Sequence, residues 1–453
     1  MVTGPLLLVI FVISIAVLLV LIITFKWQPF VALLLATIIT GLMVRMPLGD
    51  IAKNMTKGFG DTLAGIGIVI GLGVMLGQLL SASGATTTIA ESILKLFGKQ
   101  KSVLAVTFIG WVVSIPVFFD AAFVILVSLL RQLSKKTGIA FVTFVTALAL
   151  GLIATHAVVV PTPGPLVVAE NFKLDLGMFF LYACVITIPA VIVGGFVYGT
   201  LIGRHVTTGP GAPITELGTD EMDALEHKKE IPGAFRSFLM LLLPIVLILL
   251  NTITAVAFEK GHPIQAFFGF VGEKNIAMFI SVLVAAFALK PFIKENVEEI
   301  YTDAIKAAGI IIFITGAGGS FGASIKASGI GDYLVATMQS WSIPLILFGW
   351  IFSQILRSAQ GSTTVALVTT SAILGPVVAA QGGSAMLVGL AVCAGGIGLS
   401  LPNDSGFWVV NRFSNFGMKE TFQSWTIGGT ITGLTALVVV LILSFFRGIL
   451  PGL

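Results

Sequence analysis

Charge is the scarcest feature of this chain. Only 10% of its 453 residues are Asp, Glu, Lys or Arg, against 57% hydrophobic. Soluble domains carry about 25% charge. A soluble protein with a large core would also need polar helix faces, and runs such as 6–25, 31–44, 235–250 and 433–446 have none. Cysteine is nearly missing as well. Cys184 and Cys393 both sit inside apolar segments, so a disulfide framework and a thiolate metal site are excluded and both read as small core residues. The phosphate loop GxxxxGK followed by Ser or Thr is absent, as are G-x-S-x-G and any paired-histidine pattern. ATP-driven pumping, serine-hydrolase chemistry, a metal centre and a bound cofactor are therefore not expected, and no enzymatic activity is. The opening MVTGP has no Lys or Arg, and no A-x-A-like site follows, so 6–25 reads as a retained helix rather than a cleaved signal. Long polar stretches are missing too, except 203–233, which reads as a solvated linker.

What is present is a series of helix-length apolar runs, so the chain is a multi-pass α-helical membrane protein. Two of these runs are interrupted. VPTPGP at 160–165 and SLPNDSG at 400–406 each follow one apolar run and precede another. An unwound turn at membrane depth survives only where protein or a water-filled cavity satisfies its backbone. Two such breaks at matching places in two halves point to a transporter's binding site. The halves match elsewhere. Ala82-Ser83-Gly84 pairs with Ala327-Ser328-Gly329, Gly110-Trp111 with Gly349-Trp350, Pro161 with Pro402, and Asn171 lies near the counterpart of Asn411. The reading is an all-α polytopic membrane protein with an inverted structural repeat, two re-entrant hairpins (103–133 and 344–380) and two broken transmembrane helices. Its parts are an extra helix (1–25), a first repeat (26–203), a cytoplasmic linker (204–234), a connecting helix (235–256) and a second repeat (257–453). Residues 47–60 read as a polar connector and 86–97 as an amphipathic interfacial helix. With the N-terminus outside, the larger share of Lys and Arg falls in the cytoplasm.

Polar side chains gather at the two hairpin tips and the two breaks. The first tip, PVFFDAAF, carries Asp120, which either caps the returning arm or carries a proton or substrate hydroxyl. The second, LRSAQGSTTVA, carries Arg357, Ser358, Gln360, Gly361, Ser362 and Thr363. Backbone N–H groups at the start of its returning arm favour an anion, and Arg357 either holds a carboxylate, pairs with a nearby acid or snorkels to a headgroup. The first break brings His156 and Thr162. Thr162 with Pro163 makes an N-cap and first-turn pair, and His156 either exchanges a proton or bonds a carbonyl. The second break brings Asn403, Asp404 and Ser405, with Arg412 further on as a possible ion-pair partner for Asp404. Asp404 is the best acid for proton coupling, and Glu170 is the acid near the corresponding place in the first half.

At these clusters the motifs PVFFDAAFVIL, THAVVVPTPGPL, RSAQGSTTVA and LPNDSGFW resemble those of the gluconate permease family, the gluconate:proton symporters. The resemblance runs from about Phe25 to Phe446. It implies uptake of a small hydroxylated carboxylate with a proton across the cell inner membrane by an elevator-like motion, in a homodimer embedded in the lipid bilayer. D-serine or another small acid, sodium coupling, a channel and a membrane sensor stand as alternatives. Nucleic acid is not an expected partner. The resemblance further implies that Asp120, His156, Thr162, Arg357, Gln360, Ser362, Thr363, Asn403, Asp404 and Ser405 line the site, without fixing which of them titrates.

Overall fold

The computed structural model describes residues 2–98, 101–204, 206–215, 230–259, 261–294, 296–330, 333, 337, 344–381, 384–401 and 404–453. Within these it describes every side chain except those at 19, 22, 23, 359, 360, 380 and 381. Among the described residues, the regular elements are helices, and seven of them are long and apolar enough to cross a membrane. The chain is therefore a multi-pass membrane protein.

In chain order the helices are α1 (Leu6–Ile23), α2 (Pro29–Met43), α3 (Leu48–Ala82), α4 (Ala85–Phe97), α5 (Ser102–Val113), α6 (Phe119–Thr137), α7 (Phe141–Val158), α8 (Pro163–Asn171) and α9 (Leu176–Gly203). After the linker come α10 (Ala234–Ala257), α11 (Pro263–Val271), α12 (Lys274–Leu289), α13 (Val297–Ala327), α14 (Leu345–Gln360), α15 (Thr363–Gln381), α16 (Ala385–Gly395), α17 (Ser405–Phe413) and α18 (Met418–Ser444). A long helix, two shorter ones joined by a turn, a broken pair and a long helix with a π-helical stretch occur on both sides of the linker. The π stretches are Ile192–Tyr198 in α9 and Phe422–Ile427 in α18.

Helix starts follow local chemistry. Asp175 accepts from the Met178 N–H at 2.8 Å, Glu273 from Asn275 at 2.9 Å and Asn296 from Glu298 at 3.1 Å. These caps satisfy backbone donors that the first turn leaves free.

Burial identifies the centre of the molecule. The most apolar window of 141–171 is 94% buried, against 33–61% for the other six spans. It comprises α7 and α8, separated by the break after Val158, and is wrapped by protein on every side. The other spans keep one face outward, with Ile68, Val185, Phe287 and Val438 exposed. In lipid such a face is solvated by acyl chains, so its exposure costs little.

One reading of the sequence changes here. Residues 47–60 are not a connector but the first turns of α3, which runs unbroken from Leu48. No proline stands between Pro47 and the cap at Ser83, and Lys57 pairs with Asp61 at 2.5 Å one turn on. The linker positions 216–229, the stretch after Gly329 that parallels α4, and His205 lie largely or wholly outside the described residues.

Helices α3 and α13 pack along their lengths. The Ser320 hydroxyl donates to the Met55 carbonyl at 2.7 Å, and the Phe59 and Phe313 rings lie 6.3 Å apart. Further along α3, Gly77 lies against the bend between α5 and α6. A Cβ there would stand 2.4 Å from the Pro116 carbonyl oxygen, a backbone atom that cannot step aside alone. Gly77→Ala is therefore expected to cost about 1–3 kcal/mol and to displace the bend that carries Asp120. A lower melting temperature of the purified protein, with reduced transport, checks this.

Candidate functional site

The tip of the α5–α6 pair, the end of α7, the tip of the α14–α15 pair and the start of α17 converge on one cavity of about 220 Å³. It is lined by Asp120 from the first tip, His156 from α7, Arg357 and Gly361 to Val365 from the second tip, and Asp404, Ser405 and Gly406 from the second break. Ile310, Ile311 and Ile314 of α13 form an apolar wall. The N-terminal ends of α6, α15 and α17 all contribute lining residues, so their free backbone N–H groups add partial positive charge.

Arg357 is the centre of the polar network. It is 1% exposed, in the last turn of α14. Its Nη2 donates to Asp404 Oδ2 at 2.7 Å. Its Nε and Nη1 are buried and have no partner among the described residues. A guanidinium presents five N–H donors and cannot shed its charge in a protein, so unused donors on a buried arginine leave a large solvation deficit. An oxyanion in the cavity can fill it.

Asp404 is held by more than the arginine. Its Oδ2 also accepts from the Ser400 hydroxyl and from Trp425 Nε1, the latter at 3.2 Å, and its Oδ1 accepts from the Gly406 N–H at 3.1 Å. Asp404 is thus the N-cap of α17 as well as the ion-pair partner of Arg357. Trp425 Nε1 reaches Ser400 Oγ at 2.7 Å, and its ring lies 4.6 Å from that of Phe119.

The unwound stretch before α17 is tied to its neighbours. Gln354 Nε2 donates to the Gly398 carbonyl at 2.8 Å, and the Leu399 N–H donates to Thr430 Oγ1 at 3.1 Å. Leu399 itself sits at φ +47°, a conformation that costs a non-glycine residue about 1–2 kcal/mol. At the second tip, Gly361 ends α14 at φ +70°, where glycine carries no such cost.

Several expectations are corrected. Asp120 does not cap α6: Phe118 holds that position, and Asp120 stands in the first turn, exposed to the cavity. Thr162 is the N-cap residue of α8 but makes no side-chain cap, because its hydroxyl donates back to Val159 O at 2.5 Å. It lines a separate crevice of about 10 Å³ beyond Phe118 and does not reach the main cavity. The partner of Asp404 is Arg357 and not Arg412, which is exposed. Ser358 turns away, donating to the Gln354 and Leu399 carbonyls at 2.9 and 3.2 Å. Glu170 pairs with Lys274 at 2.6 Å and with Lys173 at 3.2 Å, outside the cavity.

The remaining expected residues meet. Ser362 and Thr363 line the cavity. The Ser362 hydroxyl accepts from the Val365 N–H at 3.4 Å and so caps α15, while Thr363 donates to Gly396 O at 3.1 Å. His156 is buried with Nδ1 unpartnered, its ring 5.8 Å from that of Phe118. Asn403 and the Gln360 side chain lie outside the described residues.

Sequence reasoning missed Ser400, Trp425 and the isoleucines of α13. For Trp425 the available signal was the polar run Gln423-Ser424-Trp425-Thr426 inside an apolar span. The isoleucines gave none, since they read as ordinary lipid-facing or packing residues.

Comparison with known proteins agrees with this architecture. The family model described as GntP family permease matches residues 6–446. A gluconate permease of Pseudomonas aeruginosa is 34% identical over 434 residues, covering 94% of this chain and 95% of that protein. The high-affinity gluconate transporter of Escherichia coli is 32% identical, with 96% and 99% covered, and the Gnt-II system L-idonate transporter of the same organism is 31% identical, with 94% and 97% covered. Among solved structures, the YdaH transporter of Alcanivorax borkumensis superposes with a TM-score of 0.65 at 14% identity, covering 89% of this chain and 90% of that one, which is a likeness of fold. On the match of the family model to nearly the whole chain, this protein is a member of the GntP permease family.

Proposed function

We propose that this permease carries a sugar acid, gluconate or a close relative, across the inner membrane together with a proton. The observation that carries the proposal is the buried Arg357 guanidinium with Nε and Nη1 unpartnered at the wall of the shared cavity. These donors suit the carboxylate of the substrate. Asp120, Ser362, Thr363 and Ser405 bond its hydroxyl groups. The names of the relatives, gluconate and L-idonate transporters, support the same class of substrate.

The charge balance supports proton coupling. Among the described lining residues there are two carboxylates, Asp120 and Asp404, and one permanent cation, Arg357. An organic anion that entered alone would add a further negative charge to a cavity already in excess of it. An uncompensated charge at membrane depth costs at least about 2.5–3.5 kcal/mol, and a proton taken up with the anion removes that cost. Asp404 is the group for it. With a substrate carboxylate on Nε and Nη1, one guanidinium is shared between two carboxylates, and the proton that enters with the substrate goes to Asp404. His156 and Asp120 stand in the same cavity as the relay to it.

The architecture fits alternating access. The two helix pairs and the two broken helices would move as one block against α2, α3, α12 and α13, with the second half of the chain an inverted copy of the first and a second subunit holding the scaffold. The matching succession of elements on either side of the linker supports this reading.

Uptake of labelled gluconate into proteoliposomes tests the function. The expected result is saturable accumulation driven by an inward proton gradient, unaffected by sodium and competed by other sugar acids more than by D-serine. Sodium dependence would move the coupling to that ion, preference for D-serine would change the substrate class, and flux without saturation or counterflow would make the protein a channel.

A further inference from the structure

Away from the transport cavity, a second hollow of about 330 Å³ lies where the end of α4, the start of α5 and the end of α6 meet. Leu94, Leu129 and Leu133 give it apolar walls, and Lys95 and Lys136 stand at its edge, both exposed. No acidic side chain is among its described lining residues.

The floor of this hollow is the N-terminus of α5, a twelve-residue helix whose cap position, Lys101, makes no side-chain cap. Its first turn carries the positive end of the helix dipole. Ser102, the first helical residue, lines the hollow. It is 1% exposed, and its hydroxyl has no hydrogen-bond partner. A buried hydroxyl without a partner costs free energy, and an oxyanion at this position would accept from it and from the backbone N–H groups together.

From this geometry we infer that the hollow binds the phosphate of an anionic phospholipid, with one acyl chain along the leucines. Lys95 and Lys136 flank the phosphate, and the Ser102 hydroxyl with the α5 N-terminus holds its oxygens. The charge and the apolar wall select the source together. A free phosphate would use the donors but not Leu94, Leu129 and Leu133, while a zwitterionic lipid would use the leucines but bring no net charge to the lysines. Lys101 and Lys135 beside the hollow extend the same positive field toward the membrane surface. The site is separate from the transport cavity and shares no lining residue with it.

Native mass spectrometry of the purified full-length protein, titrated with phosphatidylglycerol, phosphatidylcholine or inorganic phosphate, tests the inference. The wild type is expected to hold phosphatidylglycerol in preference to phosphatidylcholine, and inorganic phosphate is expected not to displace it. Each lysine near an anionic surface is worth about fivefold in binding. The variant carrying Lys95→Gln with Lys136→Gln is therefore expected to lose about twentyfold of that preference, and Ser102→Ala to lose a smaller part. Both variants should elute and melt like the wild type, since the three residues bear no internal bond. Equal retention of the two lipids by the wild type, or an unchanged preference in both variants, would overturn the inference. Displacement by inorganic phosphate at low concentration would overturn the lipid as the source.

Discussion

Arg357→Ala is expected to lose sugar-acid binding by at least about thirtyfold, on the scale of 2–5 kcal/mol for truncating one partner of a buried hydrogen-bonded charge pair. Two effects contribute. The substrate carboxylate loses its counter-ion, and Asp404, 5% exposed, is left as a buried anion with Ser400, Trp425 and the Gly406 N–H as its remaining partners. The second effect costs stability as well, about 3–5 kcal/mol for breaking a buried pair by removing one side. The variant pair Arg357→Gln with Asp404→Asn separates the two. Both groups are then neutral and sized to bond each other, so folding is expected to recover while acid binding is not. Melting temperature and equilibrium binding of gluconate, measured on the single and paired variants, check both parts. Gluconate binding that survives in the paired variant would move the carboxylate anchor to the helix N-termini.

Asp404→Asn is expected to separate binding from energy coupling. The amide retains an oxygen for the Gly406 N–H and keeps the cap of α17. It no longer neutralises Arg357, whose Nη2 then becomes available to the substrate together with Nε and Nη1. Binding of the acid should therefore be as tight as in the wild type or tighter, and it should lose its dependence on protons. Exchange of labelled for unlabelled gluconate across the membrane is expected to continue, because exchange needs no net proton movement. Accumulation against a gradient is expected to fall to the level of simple equilibration. Near-normal accumulation by this variant would remove Asp404 from the coupling role and leave Asp120 and His156 as the candidates.

How far the sequence foretold this site depended on the kind of signal. Asp120, His156, Arg357, Ser362, Thr363, Asp404 and Ser405 were legible because a polar residue inside an apolar run is costly and so stands out. Their meeting in one cavity followed from the two breaks and two tips as a pattern, and the structure brings the described members together. Partnership was not legible. Arg412 lies eight positions from Asp404 in the chain and Arg357 forty-seven, yet the α14–α15 tip folds back onto the break, so the distant arginine makes the pair. Thr162 had the right type and neighbour for a cap, but its hydroxyl found the Val159 carbonyl instead, a competition between local acceptors that spacing does not decide. Trp425 was hidden because an aromatic in a long helix is most often packing. The first turns of α3 were missed because Lys53, Lys57 and Asp61 made them read as a loop, whereas charged residues on an exposed helix face are compatible with a helix.

The central claim is that a substrate carboxylate comes to share Arg357 with Asp404 and that Asp404 then takes a proton. Titration calorimetry of gluconate into the purified protein, repeated in buffers of different ionisation enthalpy, measures this directly. The account predicts uptake of about one proton per gluconate bound near neutral pH in the wild type and none in Asp404→Asn. Gluconate binding to the wild type with no proton taken up would contradict it.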